Sequence, residues 1–371
     1  MYNSLLVRVI LFLLVTTTFL IACGDTPEAK HLSHKSHIRH QEDTIGFAQF
    51  SWQMDSIVKR IDTGDKLLND NTYKAVICPH DDYGYAAGLY YKTLSGIKAK
   101  TIILIGVAHR ARNYNLQDHI IFGSYDRWAA PGGYIPVSKL RDKLLERLDK
   151  ETYVVHDSMM QLEHSLEAIT PFLQYKNPTV QIIPMLVPYN TFNNMETFSN
   201  DVATGITTLM KEEQLTFGKD IAVIISNDAI HYGSKGWGGS NLAPFGTDSL
   251  GTLQARLKDL DLINSTLEGE LTRDKIATFN DITIMEEDYK AYKWTWCGRY
   301  STPFGLLLAH RIQQLTAINN DDKEFNNLTG TYIDWRSSLH NTHIPVSDLG
   351  MGHTAIADST HWVAYVGMSY Q

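Results

Sequence analysis

Apolar runs of strand length alternate with stretches of helical periodicity through most of the chain. Runs at 73–78, 101–105, 119–122, 180–187, 221–226, 329–335 and 362–368 predict strands, and 86–94, 137–148, 160–175, 195–211, 250–260, 273–280 and 303–315 predict helices. Within 160–175, Leu162, Leu166, Ile169 and Leu173 share one helical face, so they should pack on a sheet, with Glu163, His164 and Glu167 on adjoining parts of the same helix. Strands alternating with helices point to an α/β fold, a central mixed sheet flanked by helices. No Pro/Gly/Ser-rich break or internal repeat interrupts it, so one domain is expected over 46–371.

Three apolar runs end on side chains that bind metals. V-I-C-P-H ends at His80, T-I-I-L-I-G-V-A-H ends at His109, and W-T-W-C-G-R carries Cys297. A strand followed at once by His or Cys delivers that side chain to the rim of a sheet, where open α/β folds build their sites, so the three are expected to hold a metal in one pocket. Each alone has a plainer reading: a turn histidine, a satisfied core histidine, a buried cysteine. Their joint occurrence favours the pocket. S-N-D-A-I-H at 226–231 follows another apolar run, and the three-residue spacing of Asp228 and His231 lets them face one space from a turn or first helical turn. They are candidates for general acid/base work or for orienting a ligand; an Asp helix cap beside a surface His is the alternative.

The N-terminal segment reads differently. Residues 1–22 combine Arg8, an apolar stretch and L-I-A-C at 20–23, the layout of a bacterial lipoprotein signal, with Cys23 as first mature residue and lipid anchor. An uncleaved membrane helix fits less well, because the apolar run barely reaches spanning length and has no basic flank. Residues 23–45 are then expected to form a flexible tether, polar and without an aromatic residue up to 43. His31, His34, His37 and His40 recur in it every third residue, which offers weak metal capture or simply a solvated spacer. These features place the protein at the cell envelope, on the periplasmic or another extracytoplasmic face, with the membrane as a partner.

Charge and cysteine content narrow the chemistry. The chain carries a net charge of −8, and Arg8 is the one charged residue before Cys23, which leaves 32 basic against 41 acidic side chains. No concentrated basic patch is evident in the sequence, which argues against nucleic acid as a partner. Cys78 and Cys297 remain after Cys23, and in an oxidising compartment they could instead form a disulfide.

The ordered motifs resemble the Memo family, known in bacteria as the B protein of the AmmeMemoRadiSam group. The family's P-H-A-G-Y-x-Y-x-G is similar to P-H-D-D-Y-G-Y-A-A-G at 79–88, its L-G-P-S-H to I-G-V-A-H at 105–109, and its E-H-S-x-E to E-H-S-L-E at 163–167. I-I-P at 182–184, S-x-D-x-x-H-Y-G at 226–233, C-G-R at 297–299 and the closing V-A-Y-V-G-M-S-Y follow in the family's order, so the resemblance runs from about residue 70 to the C-terminus. It implies a fold similar to class III extradiol ring-cleaving dioxygenases and a metal held by His80, His109 and Cys297. Asp228 and His231 would line the same pocket, with Asp82, Tyr83, Glu163 and His164 around it. Asp81-Asp82 depart from the family's Ala-Gly and could add an oxygen ligand or favour a harder metal.

The function this implies is a metal-dependent oxidoreductase of dioxygenase-like architecture, with iron or copper as the metal, zinc as an alternative, and an unidentified small molecule or peptide as substrate. A non-catalytic peptide- or metal-binding module and a zinc-dependent hydrolase are the competing readings.

Overall fold

Thr101–Val107 is buried on both faces, as a run with no polar alternation requires. The computed structural model describes residues 37–66, 70–234, 242–319, 326–354 and 357–371, and these form one compact unit. The signal segment, Cys23, His31 and His34 lie outside the described residues. In chain order the elements begin with β1 (Ile38–Arg39), α1 (Ser51–Arg60), β2 (Ala75–Cys78), α2 (Tyr83–Thr93), β3 (Thr101–Val107) and β4 (Ile120–Phe122). Next come the hairpin β5 (Arg127–Ala130) and β6 (Gly133–Pro136), then α3 (Leu140–Leu145), β7 (Tyr153–Val155), α4 (Asp157–Leu162), α5 (His164–Glu167) and α6 (Thr170–Lys176). The chain continues through β8 (Gln181–Val187), α7 (Phe192–Glu212), β9 (Ile221–Ser226), β10 (Asp228–Gly233), α8 (Ser249–Thr266) and β11 (Gly269–Glu270). It closes with α9 (Arg273–Thr283), α10 (Ser301–Asn319), β12 (Thr329–Ser337) and β13 (His361–Tyr370).

These strands form a mixed sheet in the order β11-β12-β13-β2-β9-β3-β8-β4-β7, with β10 also paired to β13. Its centre, β2, β9, β3 and β8, is parallel, and β12, β13 and β10 close one side antiparallel. A small separate sheet joins β1, β5 and β6. Alternate residues of the parallel strands feed two cores. Ile77, Ile103, Ile105, Val223 and Ile225 pack with Ala203, Ile206, Phe304 and Leu308 of α7 and α10. Val76, Cys78, Ile102, Leu104 and Ile224 pack with Ala86, Leu89 and Tyr90 of α2. Full burial of each such aliphatic side chain contributes about 1.5–3 kcal/mol. The fold is therefore α/β with a central mixed sheet flanked by helices, as the periodicity predicts.

The single helix expected over 160–175 is three pieces. At Glu163 the backbone turns extended (φ −93°, ψ 120°), and its carboxylate caps α5 by accepting from the Ser165 N–H. The break leaves Leu162 half-buried, while Leu166, Ile169 and Leu173 keep their places in the core. Residues 226–231 are not a turn or helix start either; Asp228–Gly233 is a strand, with a bulge between Asp228 and His231 where it pairs with β13. Nor is the stretch before residue 46 uniformly a solvated spacer. Ile38–Arg39 pairs in parallel with β5, and Arg39 is wholly buried.

Candidate metal centre

The carboxyl ends of β2, β9 and β3 adjoin in the sheet and carry His80, Ser226 with Asp228, and His109, which is why residues so distant in sequence meet. His80 sits one residue beyond Pro79. Its backbone N–H donates to Asp228 Oδ1 (2.9 Å), and its Nδ1 lies 2.8 Å from Ser226 Oγ. Because the Ser226 hydroxyl already donates to the Ser165 carbonyl (2.7 Å), it must accept at Oγ the proton on His80 Nδ1. Nε2 of His80 is thus left with its lone pair.

The same logic holds at His109. Its Nδ1 lies 2.8 Å from Glu163 Oε1 and its backbone N–H donates to Oε2 at 2.8 Å, so an ionised Glu163 keeps the Nδ1 proton and directs Nε2 outward. A carboxylate behind a histidine fixes ring and tautomer and raises ligand basicity, the arrangement common behind metal-bound imidazoles. Gly106 permits this approach: a Cβ there would stand 2.6 Å from Leu166 Cδ2 and 2.7 Å from Ser165 Oγ, and would push α5 off β3.

Cys297 arrives from the segment before α10. Its Sγ is 2.8 Å from His109 Nε2 and 3.5 Å from His80 Nε2, and the three donor atoms lie within 4.8 Å of one another. In a tetrahedral site with bonds of 2.0–2.3 Å, ligand atoms stand about 3.5 Å apart, so an ion would need only a sub-ångström opening of the His109–Cys297 pair. β10 holds this segment by its backbone. Cys297 N donates to Asp228 O, His231 N donates to Thr295 O, and the Thr295 hydroxyl donates to His231 O. Trp294, Trp296 and Trp335 all donate their indole N–H to Asp259 of α8, which anchors the strip from behind. A Cβ on Gly298 would fall 2.1 Å from Asn227 Oδ1, so glycine is needed where the strip turns.

The charges suit a metal. Burial opposes charge on His109, but Cys297 and Glu163 outweigh it and hold its pKa well above the usual imidazole value; an incoming ion must displace that proton. Burial likewise pushes the Cys297 thiol up, against the pull of His109. For Glu163 burial acts upward, yet the neighbouring His109 brings it down to about 2, ionised at neutral pH. His80 is held well below the usual value by burial and then by His109, and is neutral.

The other expected site residues divide. His164 stacks on His109 (centroids 4.6 Å apart) and, with Glu163, makes a second donor cluster around that residue. Asp228 Oδ2 lies 3.3 Å from His80 Nε2, and burial followed by the charge of Asp81 pushes its pKa well up. His231 is half-buried, its pKa brought down to about 3 first by burial and then by His109. Asp82 instead accepts the Thr354 N–H at 2.6 Å, Asp81 accepts from the Tyr365 hydroxyl, and Tyr83 donates to the Ala168 carbonyl from within the core. None of these three belongs to the donor clusters. Cys78 and Cys297 are both free and buried.

A cleft of about 70 Å3 opens beside the donors, lined by His109, Cys297, Val107, Tyr189, Arg299 and Tyr300 among others. Three contributors were not assigned roles from the sequence: Ser226, Asp259 and Arg39. Arg39 donates to the carbonyls of Met160, Gln161 and Glu163 and to Glu167 Oε2 (2.5 Å), and so clamps the helix break that carries Glu163. Ser226 stands inside a quoted motif, whereas nothing local marks Arg39 or Asp259.

Fold and site together define a mixed α/β protein in which two histidines at the ends of parallel strands meet a cysteine from the strip before α10. The model of the family described as Memo-like protein matches residues 47–325, and the chain belongs to that family. It is similar to a MEMO1 family protein of Sulfurisphaera tokodaii (30% identical over 161 residues; 42% of this chain, 52% of that protein). A MEMO1 family protein of Archaeoglobus fulgidus is 29% identical over 166 residues, covering 44% of this chain and 57% of that one. The chain spans about half the length of the curated relatives it matches.

Proposed function

We propose that the chain is a metal-dependent oxidoreductase of dioxygenase-like architecture, with iron or copper held by His80, His109 and Cys297. The convergence of two imidazole Nε2 atoms and one sulfur, with both Nδ1 protons engaged behind them, carries this reading. Two neutral imidazoles and a thiolate offset one charge of a divalent ion, leave coordination positions open, and are soft enough for iron(II), copper(I) or zinc. A bound redox metal would supply electron transfer and oxygen activation, and zinc would supply Lewis acidity for hydrolysis. The chain's own groups do the rest. Glu163 and Ser226 aim the imidazoles, and Asp228, inclined by burial to keep a proton, carries one at Oδ2 beside His80. His231, neutral at physiological pH, is the other acid/base candidate carried by β10.

Elemental analysis of the purified protein tests the ligand set. Wild type should hold stoichiometric metal that His80→Ala, His109→Ala and Cys297→Ser each lose, and iron or copper rather than zinc separates oxidoreductase from hydrolase. Equal metal in all four proteins ends the assignment. We further propose that Cys23 carries a lipid that tethers the domain to the outer side of a bacterial membrane. Labelled fatty acid should then enter the wild type in cells and not Cys23→Ala; equal labelling rejects the anchor.

A further inference from the structure

A buried arginine ordinarily has a carboxylate partner, because an unpaired charge out of water is costly. Arg39 and Arg141, both buried, pair with Glu167 and Asp142, and the half-buried Arg336 pairs with Asp65. Arg299 is only 4% exposed, yet among the described residues no carboxylate lies within ion-pair distance of it. Its Nη2 donates to the Lys290 carbonyl (3.1 Å), and its buried Nε has no hydrogen-bond partner. The guanidinium is held instead by aromatic faces, at 3.5 Å from the ring centre of Tyr292, 4.7 Å from Tyr300 and 5.8 Å from Tyr189. The Tyr292 and Tyr300 side chains also favour the charged guanidinium, so the cage fixes the planar fork but supplies no carboxylate to pair with it.

Arg299 lines the same cleft as His109 and Cys297. A second hollow of about 320 Å3 shares Tyr189 as a wall and adds Arg112 and Lys290. In a chain of net charge −8, three cations gathered at the approach to the donor cluster oppose the overall sign and would focus anions toward it. A rigid guanidinium fork matches a carboxylate or phosphate in two-point geometry.

We propose that the substrate of this site bears an anionic group, a carboxylate or a phosphate, that pairs with Arg299 while the rest of the molecule faces His109 and Cys297. The orientation toward those two residues rests on the metal-centre reading; the anion subsite does not, and its test works without metal. Metal-free and metal-loaded protein are titrated calorimetrically with benzoate, phenyl phosphate and the neutral benzamide, and the metal content of each sample is measured. One or both anions should bind wild type, benzamide should not, and Arg299→Gln should weaken the anion at least about tenfold while keeping wild-type metal content. Preference between the two anions tells carboxylate from phosphate. Arg299→Lys, which retains the charge and loses the fork, should bind weakly and decides the matter if Arg299→Gln does not fold. Equal binding of anion and benzamide, anion binding undiminished in both variants, or no anion binding to wild type at millimolar concentration overturns the proposal. Anion binding through Arg299 in a protein that takes up no metal leaves the subsite standing and removes the metal centre.

Discussion

Glu163 accepts from the His109 N–H, from His109 Nδ1 and from the Ser165 N–H, so one carboxylate orients a ligand and ends a helix break at once. Removing its charge while keeping its shape should loosen the metal without dismantling the fold. Glu163→Gln is expected to lower metal affinity about 10–100-fold, the usual effect of losing such a partner, read by competition with a chelator of known affinity. Ser226→Ala should act in the same direction and more weakly, since a neutral hydroxyl is replaced. The thiols can be counted directly. Metal-free protein unfolded without reductant should react at both Cys78 and Cys297, and failure to label either would show a bridge between them.

At the scale of elements, the strip 294–297 is held from two sides. Trp294 and Trp296 give their indoles to Asp259, Trp296 bridges Ile230 of β10, and Cys297, where a turn begins, meets the histidines. Asp259→Ala leaves buried indole donors without an acceptor and should cost about 2–5 kcal/mol, seen as a lower urea midpoint, together with weaker metal binding. Arg39 has the corresponding place on the other side of the site. Its side chain lies 4.3 Å over Trp128 and ties the β1 strap to the carbonyls of the α4–α5 break. Strands and long helices were legible because their signal is local: apolar runs for β2, β3, β8 and β9, and the 3.6-residue period for α7 and α10. The break at Glu163 was hidden, because its cause is His109, more than fifty residues away. The strand at 228–233 was hidden as well, since its partners, β13 and the Cys297 strip, are distant in sequence.

For the whole molecule, Asp259 links stability to pH. Burial raises its pKa to about 6 against an ordinary carboxylate value of 3.8, with the three indole donors offsetting part of the effect. The folded state then holds this proton more tightly than the unfolded state, so stability should fall as pH rises from about 4 to about 6 and level off above, by up to about 3 kcal/mol. The difference in urea midpoint between wild type and Asp259→Asn should change through that window and stay constant above pH 7. A difference independent of pH throughout would show that Asp259 titrates normally.

The sequence by itself determined the α/β alternation, the strands of the parallel centre, and which histidines follow them, because burial on both faces and side-chain period are written in consecutive residues. It singled out Cys297 by its apolar run, although that run is a strip before α10 and not a strand. The tertiary structure decided what surrounds them. Sheet order brings β2, β9 and β3 side by side and so sets Ser226 behind His80, while the packing of the α4–α5 break on β3 sets Glu163 behind His109. It also turned Asp82 and Tyr83 to Thr354 and Ala168 and left Arg299 in an aromatic cage without an acid. Hydrogen-bond partners and charge balance are properties of neighbours in space, and here those neighbours lie tens to hundreds of residues apart along the chain.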